Sequence, residues 1–377
     1  MKLKTMLLAV AGALIVLAAW LVHDPEPTHA DEVPEKYRDT VAKALEFLAK
    51  NQAKDGHWEG ADGRHPVAVT ALAGMALLMQ GSTLEKGKYA ANLRKAVDWT
   101  LDQSDPKRGG LIYSGHASEA DRYMEGHGLA TQFLGWCGQY RDTDKKRLEK
   151  IDAALTRALQ YLPKAQSSQG GWYKTSKTEG HDFDAVLATS LQIRALYSST
   201  YGRGFVANGE TVAASGQDYM KASLDKLYRA KADSKRDRAL ETAAALLCRC
   251  SPEAYLDQDG VSAAWAKYCR SAIPMGRDVK FGRDEFTHYL YAQAIYTLKV
   301  NPEFNASKEA IKWVDYRTTM FDHLQRTQEK DGNWPGPLDA KDAIGVGPVY
   351  TTAAWCTILQ LDTGNHPLTH ARIRATF

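Results

Sequence analysis

The stretch FDHLQRTQEKDGNWPGPLDAKDAIGVGPVYTTAAWCTILQL, Phe321 to Leu361, decides the fold. A helix ending near Gln328 leads into a polar Gly/Pro loop anchored by Trp334, and an apolar helix begins around Val349. The same grammar stands near the start of the chain, as ALEFLAKNQAKDGHW (Ala44 to Trp58) followed by HPVAVTALAGMALL (His65 to Leu78). Gln52 and Gln328 each precede a Trp by six residues, Trp58 and Trp334, inside the strings QAKDGHW and QEKDGNW. Such self-similarity marks stacked copies of one supersecondary unit, none of which can bury its apolar face alone.

The chain has 377 residues, 44% hydrophobic and 25% charged, which is an ordinary globular composition with enough length for a sizeable core. Its net charge of +3 is not concentrated in a basic run, so nucleic acid is excluded as a partner. Lys2 and Lys4 precede an uncharged run from Thr5 to Val22, and Thr28-His29-Ala30 ends in a small residue. Residues 1–30 therefore read as a cleaved secretory signal, with an uncleaved anchor as the rival, and residues 31–377 as a single exported domain, periplasmic, extracellular or held on the outer side of a membrane. Five scattered cysteines do not make a disulfide framework; one bridge from Cys269 to Cys248 or Cys250 is the pairing to test.

Amphipathic and apolar helices alternate from Glu35 onward. The first pair is an outer helix with Val41, Leu45 and Leu48 on one face and an inner helix from Pro66 to Met79, apolar on all sides and so buried on all sides. A second pair follows, with Gly109-Gly110-Leu111-Ile112-Tyr113 in place of the Gly-x-Trp and GLATQFLGWCGQY as the inner helix. The third carries Gln166 six before Trp172, the fourth lacks Gln and Trp, the fifth ends in EFTHYLYAQAIYTL, and the opening stretch is the sixth. Aligning the inner helices on a small or hydroxyl residue gives Thr70, Thr131, Thr189, Thr242, Ala292 and Thr352. Inner helices without a polar face favour a closed ring over an open stack.

The element in QAKDGHW, QSSQGGW and QEKDGNW, followed by Thr-led inner helices, resembles the QW repeats of the squalene cyclase and protein prenyltransferase superfamily. The resemblance implies an all-α fold, an α/α toroid with six inner helices inside six outer ones. In that setting Gln52, Trp58, Gln166, Trp172, Gln328 and Trp334 are structural: the amide bonds backbone groups at a helix end, the Gly allows a tight turn, and the Trp packs on a neighbouring hairpin.

The resemblance also implies three chemistries, and the residues argue against each. Alkene protonation in the cyclases uses an Asp-x-Asp-Asp cluster just before the inner-helix Thr. Asp182 and Asp184 stand about one turn too early for Thr189, and no other unit carries the cluster on the register above. The zinc site of protein prenyltransferases needs Asp-x-Cys, which no cysteine here has; thioester toroids need Cys-Gly-Glu-Gln, and Cys137-Gly138-Gln139-Tyr140 departs from it.

What remains is the rim, where the inner helices begin and their partial positive charges converge. His65, His127, Asp184, Asp237 and His288 lie four or five residues before the aligned positions, with His181, Asp182, Glu125 and Tyr350 nearby. These line the expected mouth of a central cavity, and helix capping is the competing role for Asp184. Their side chains suit metal ligation or general acid–base work, but no ligand spacing commits to a metal, and the cofactor stays open. The expected function is binding of a hydrophobic small molecule or an extracellular polymer through the cavity; the alternative is an atypical enzyme on the same scaffold, a terpenoid cyclase-like or prenyltransferase-like transformation or a polysaccharide lyase.

Overall fold

The computed structural model describes residues 32–139, 144–181, 185–200, 209–229, 235–249, 260–299, 304, 307–336 and 346–364. They form twelve α-helices: α1 (Glu35–Lys50), α2 (Pro66–Met79), α3 (Ala90–Asp102), α4 (Tyr123–Cys137), α5 (Lys145–Ala165), α6 (Val186–Thr200), α7 (Gly209–Arg229), α8 (Lys235–Arg249), α9 (Val261–Ala272), α10 (Glu285–Leu298), α11 (Trp313–Thr327) and α12 (Gly347–Leu359). Among these residues there is no strand, only one isolated bridge between Ser104 and Ile112.

The even-numbered helices make the inner ring. α2 packs on α4, α4 on α6, α6 on α8, α8 on α10, α10 on α12, and α12 back on α2. The fourth unit, though it lacks Gln and Trp, supplies α7 and α8 and completes the circle. Composition decides which helices go inside: every residue of α2 and of α4 is buried, whereas α1 buries one stripe that includes Tyr37, Val41, Ala44, Leu45 and Leu48. Pro66 at the first turn of α2 starts that helix where no intrahelical N–H is needed.

Three loops are fastened by the same set of bonds. Gln52 Nε2 donates to Gly56 O (2.8 Å) and to Asn92 O of α3 (2.9 Å); Gln166 does the same to Gly170 O and Val212 O of α7, and Gln328 to Gly332 O and Thr40 O of α1. Each amide thus ties its own loop to the next outer helix, and the last one joins unit six to unit one. The helix-end carbonyls are met instead by tryptophan: Trp58, Trp172 and Trp334 Nε1 donate to Leu48, Leu162 and Leu324 O in the final turns of α1, α5 and α11. Tyr37 Oη to Asp322 (2.5 Å) and Gln325 Nε2 to Lys36 O (2.6 Å) reinforce the closing contact between α11 and α1.

The expected bridge from Cys269 is absent: Cys137, Cys248, Cys269 and Cys356 are all free and buried. Cys248 Sγ donates to Ser190 O at 3.5 Å, and Cys269 is fully enclosed on α9; Cys250 lies outside the described residues. Burial pushes the Cys137, Cys269 and Cys356 thiols well above the usual range, which keeps them protonated. In the native protein these four thiols are expected to resist an aromatic disulfide reagent at pH 8 and to react on unfolding. Rapid labelling of any of them in the native state would contradict the packing.

Candidate functional site

The loop-to-helix bonds fix the register of the inner helices. Trp58 N donates to Thr70 Oγ1 (2.9 Å), Trp172 N to Thr189 Oγ1 (2.9 Å) and Trp334 N to Thr352 Oγ1 (3.3 Å). In unit two the donor is Ile112 N, and its acceptor is His127 Nδ1 at 3.1 Å. Thr131 sits one turn further on and bonds the His127 carbonyl within its own helix. In unit five His288 holds the equivalent place, with Nε2 on Pro274 O (3.0 Å) and Nδ1 on Tyr316 Oη (2.8 Å). The aligned residues of units two and five are therefore His127 and His288, not Thr131 and Ala292. Thr242 repeats the Thr131 pattern on Arg238 O, which moves unit four by the same turn.

This register sorts each inner helix by face. Thr70, His127, Thr189, His288 and Thr352 point to the loops and outer helices, so residues two before, two after and five after them lie on the opposite, axial side. The position five after confirms the sorting. Arg194 on α6 donates through Nε to Gln132 Oε1 on α4 (3.2 Å) and through Nη2 to Gln293 Oε1 on α10 (2.7 Å), a span across the ring. The position two after holds Leu72, Leu129, Leu191, Leu240 and Leu290, with Ala354 in unit six, and all but Leu240 are fully enclosed. A leucine layer over a polar bridge closes the middle of the axis.

The mouth layer lies two positions before the aligned residues, with Ala68, Glu125, Leu187, Phe286 and Tyr350. Phe286 and Tyr350 rings meet there, 6.5 Å apart at 27°. Above and beside this layer the loop between α3 and α4 folds over the start of α2. Glu119 Oε1 accepts from Val67 N (2.8 Å) and its Oε2 from Ser114 Oγ (2.6 Å), while Ser118 Oγ accepts from His65 N (2.9 Å). Burial raises the Glu119 pKa against those hydrogen bonds. His116 Nδ1 lies 2.8 Å from Ser118 Oγ.

Three charged or titratable side chains are packed under that loop: His65, Arg122 and Glu125 are only 7%, 5% and 3% exposed. Arg122 Nη1 is 3.8 Å from Glu125 Oε2, and Arg122 Nε is 3.6 Å from Asp121. His65 caps α2 in the left-handed region (φ 54°, ψ 45°), one of two non-glycine residues with positive φ among those described. Such a conformation costs on the order of 1 kcal/mol and collects at functional sites. Burial, aided by Arg122 and Arg64, pushes the His65 pKa down to about 4, so the imidazole is neutral at neutral pH. Tyr123 Oη accepts from Ser176 N (2.7 Å), and burial drives its phenol up.

Of the residues expected at the rim, His65 and Tyr350 stand at the mouth. His181 lies on its edge, bonded to Thr175 and edge-on to Tyr173 at 6.2 Å. His127 and His288 face the outer ring instead, and each is fully buried with its pKa lowered by that burial, to about 4 and about 3. Asp182 and Asp184 fall outside the described residues, and Asp237 is on α8 with its side chain outside them. No group of three or more His, Cys, Asp or Glu among the described residues could hold a metal ion. Arg122 is the functional candidate that sequence reasoning missed; its neighbours Tyr123 and Met124 gave no sign that the loop would bury it.

Residues 29–193 match the family model of the squalene-hopene cyclase C-terminal domain. That segment belongs to the terpenoid cyclase/prenyltransferase superfamily. Two solved structures of a glycosidase, one variant in complex with glucose and a second variant, each align with a TM-score of 0.50 at 12% identity, over 87% of this chain and 96% of theirs. They share the fold. No curated protein matches. On the corrected register the three acid positions of the cyclase pattern read Tyr123, Glu125 and Gly126 in unit two, and Asp284, Phe286 and Thr287 in unit five. Single acids stand at individual places, and these two units do not carry the full cluster.

Proposed function

We propose that residues 31–377 form one exported toroid domain that binds a segment of an extracellular, sugar-type polymer at the mouth where the inner helices begin. The observation that supports this reading is the closed axis: leucines and the Arg194 bridge fill the ring, and the charged or titratable side chains of His65, Arg122 and Glu125 gather at the end where the inner helices begin. A polyprenoid would need a long apolar chamber, and the inner helices leave little of their surface uncovered. The glycosidase fold relatives are in keeping with a saccharide ligand.

Titration calorimetry of the mature protein with malto-, cello-, xylo- and manno-oligosaccharides, with squalene and farnesyl diphosphate as comparators, tests the reading. Binding of a saccharide and of neither isoprenoid is expected; the reverse selectivity would defeat it. For export, sequencing of the secreted protein is expected to begin at Asp31. The enzyme alternative draws on one specific observation, that Glu125 occupies the place of the middle acid in the cyclase pattern. A cyclised product from squalene, lost in Glu125→Gln, would establish it.

A further inference from the structure

We propose that Ser118 is an activated nucleophile that takes acyl groups from small esters, with His116 as its general base. The activity lies beyond the binding reading above and stands apart from it.

Ser118 Oγ is 2.8 Å from His116 Nδ1, and both residues are half-buried on the loop between α3 and α4, within reach of solvent. Ser118 N donates to the same Nδ1 at 3.2 Å. That bond makes Nδ1 an acceptor, so the Ser118 hydroxyl hydrogen points to the imidazole and the ring proton sits on Nε2. Ser118 Oγ also accepts from His65 N at 2.9 Å, which leaves a lone pair for attack and stabilises the oxygen as its proton departs. His65 makes this bond from the left-handed region (φ 54°), and Asp62 (φ 59°), the other described non-glycine residue with positive φ, stands just before it on the same loop. Strain of this kind collects where groups are held for function.

A carboxylate stands on the other side of the imidazole. A Cβ on Gly63 would be 3.5 Å from Glu59 Oε2 and 3.9 Å from His116 Nε2, so these two atoms flank one point that the glycine leaves open. Glu59 there stabilises the imidazolium that forms when His116 takes the serine proton. A base beside the nucleophile and an acid behind the base is the arrangement that activates a serine. Ala117 N, on an exposed residue and without a hydrogen-bond partner among the described residues, is the donor offered to the developing oxyanion. In the reaction Ser118 Oγ bonds the acyl carbon, and its proton passes to His116 Nδ1 and on to the departing alcohol. Water then attacks the acyl-serine with His116 as base, which releases the acid and restores the hydroxyl.

A fluorophosphonate probe, followed by peptide mapping of the native protein, tests the nucleophile. An adduct on Ser118 is expected, formed about a hundredfold faster than in urea-unfolded protein or in His116→Gln, the loss that removal of a general base brings. Glu59→Gln is expected to slow labelling several-fold, and Glu59→Asp to recover part of the rate. Turnover of nitrophenyl acetate is expected, and Ser118→Ala is expected to abolish it. If a variant does not fold, the native and unfolded wild-type rates decide. No adduct on Ser118, or equal rates in native and unfolded protein, would overturn the proposal. An adduct without ester turnover would overturn its hydrolytic step.

Discussion

Replacing Gly332 by alanine is expected to destabilise the protein by roughly 4 kcal/mol, the sum of backbone strain and a clash that cannot relax. Gly332 has φ +95°, and a Cβ there would stand 2.3 Å from Lys43 O and 2.6 Å from Lys43 C in the backbone of α1. The clash falls on the contact that closes the ring, where Gln328 Nε2 holds both Gly332 O and Thr40 O. Gly260→Ala separates the two terms: it also has positive φ, +67°, but meets nothing within 4 Å. It is expected to lose about 1 kcal/mol, the strain alone. Equal losses in the two variants, by urea titration, would mean that the loop of unit six does not press on α1.

Acid is expected to unfold the protein between about pH 6 and pH 4. His127 and His288 are fully buried, and burial holds their pKa values at about 4 and about 3, below the unfolded value near 6.5. The folded state therefore favours the neutral imidazole. This contribution is complete above pH 6.5 and declines as pH falls toward the folded values, by about 3 kcal/mol for His127 and about 5 kcal/mol for His288 at the limit. Two such losses are comparable with the whole stability of an ordinary domain. His65 adds to the same trend, with a folded value of about 4. Glu119, raised by burial, works in the opposite direction: its protonation on acidification favours the folded state. His127→Thr substitutes the residue that units one, three and six use for the same bond. It is expected to lower stability at neutral pH through the cavity it leaves, by on the order of 2 kcal/mol, while moving the acid transition to lower pH. An acid transition at the native pH would remove His127 from this account.

The helical hairpins were legible because each is local. Gln52, Gly56 and Trp58, and their copies ending at Trp334, are spaced within a few residues and close their own loops before they reach a neighbour, and the all-apolar inner helices have only one place to go. The register was less legible. A threonine in a buried helix can fasten a loop, as Thr70 does, or bond back to its own helix, as Thr131 does, and the sequence writes both alike. A histidine ahead of it then reads as a polar rim group when it is the fastener. That one-turn ambiguity put His127 and His288 at the mouth, and it hid Glu125 among their neighbours.

The sequence by itself determined the alternation of outer and inner helices, six of each, and the stapled loops, because periodicity and turn chemistry are properties of short segments. Only the tertiary structure decided which side of each inner helix faces the axis, that leucines and Arg194 close it, and that His65, Arg122 and Glu125 gather under one loop. These follow from closing the ring: helix faces are assigned by neighbours 99 to 288 residues apart, through bonds such as Gln328 to Thr40 and Arg194 to Gln293, which no local pattern encodes.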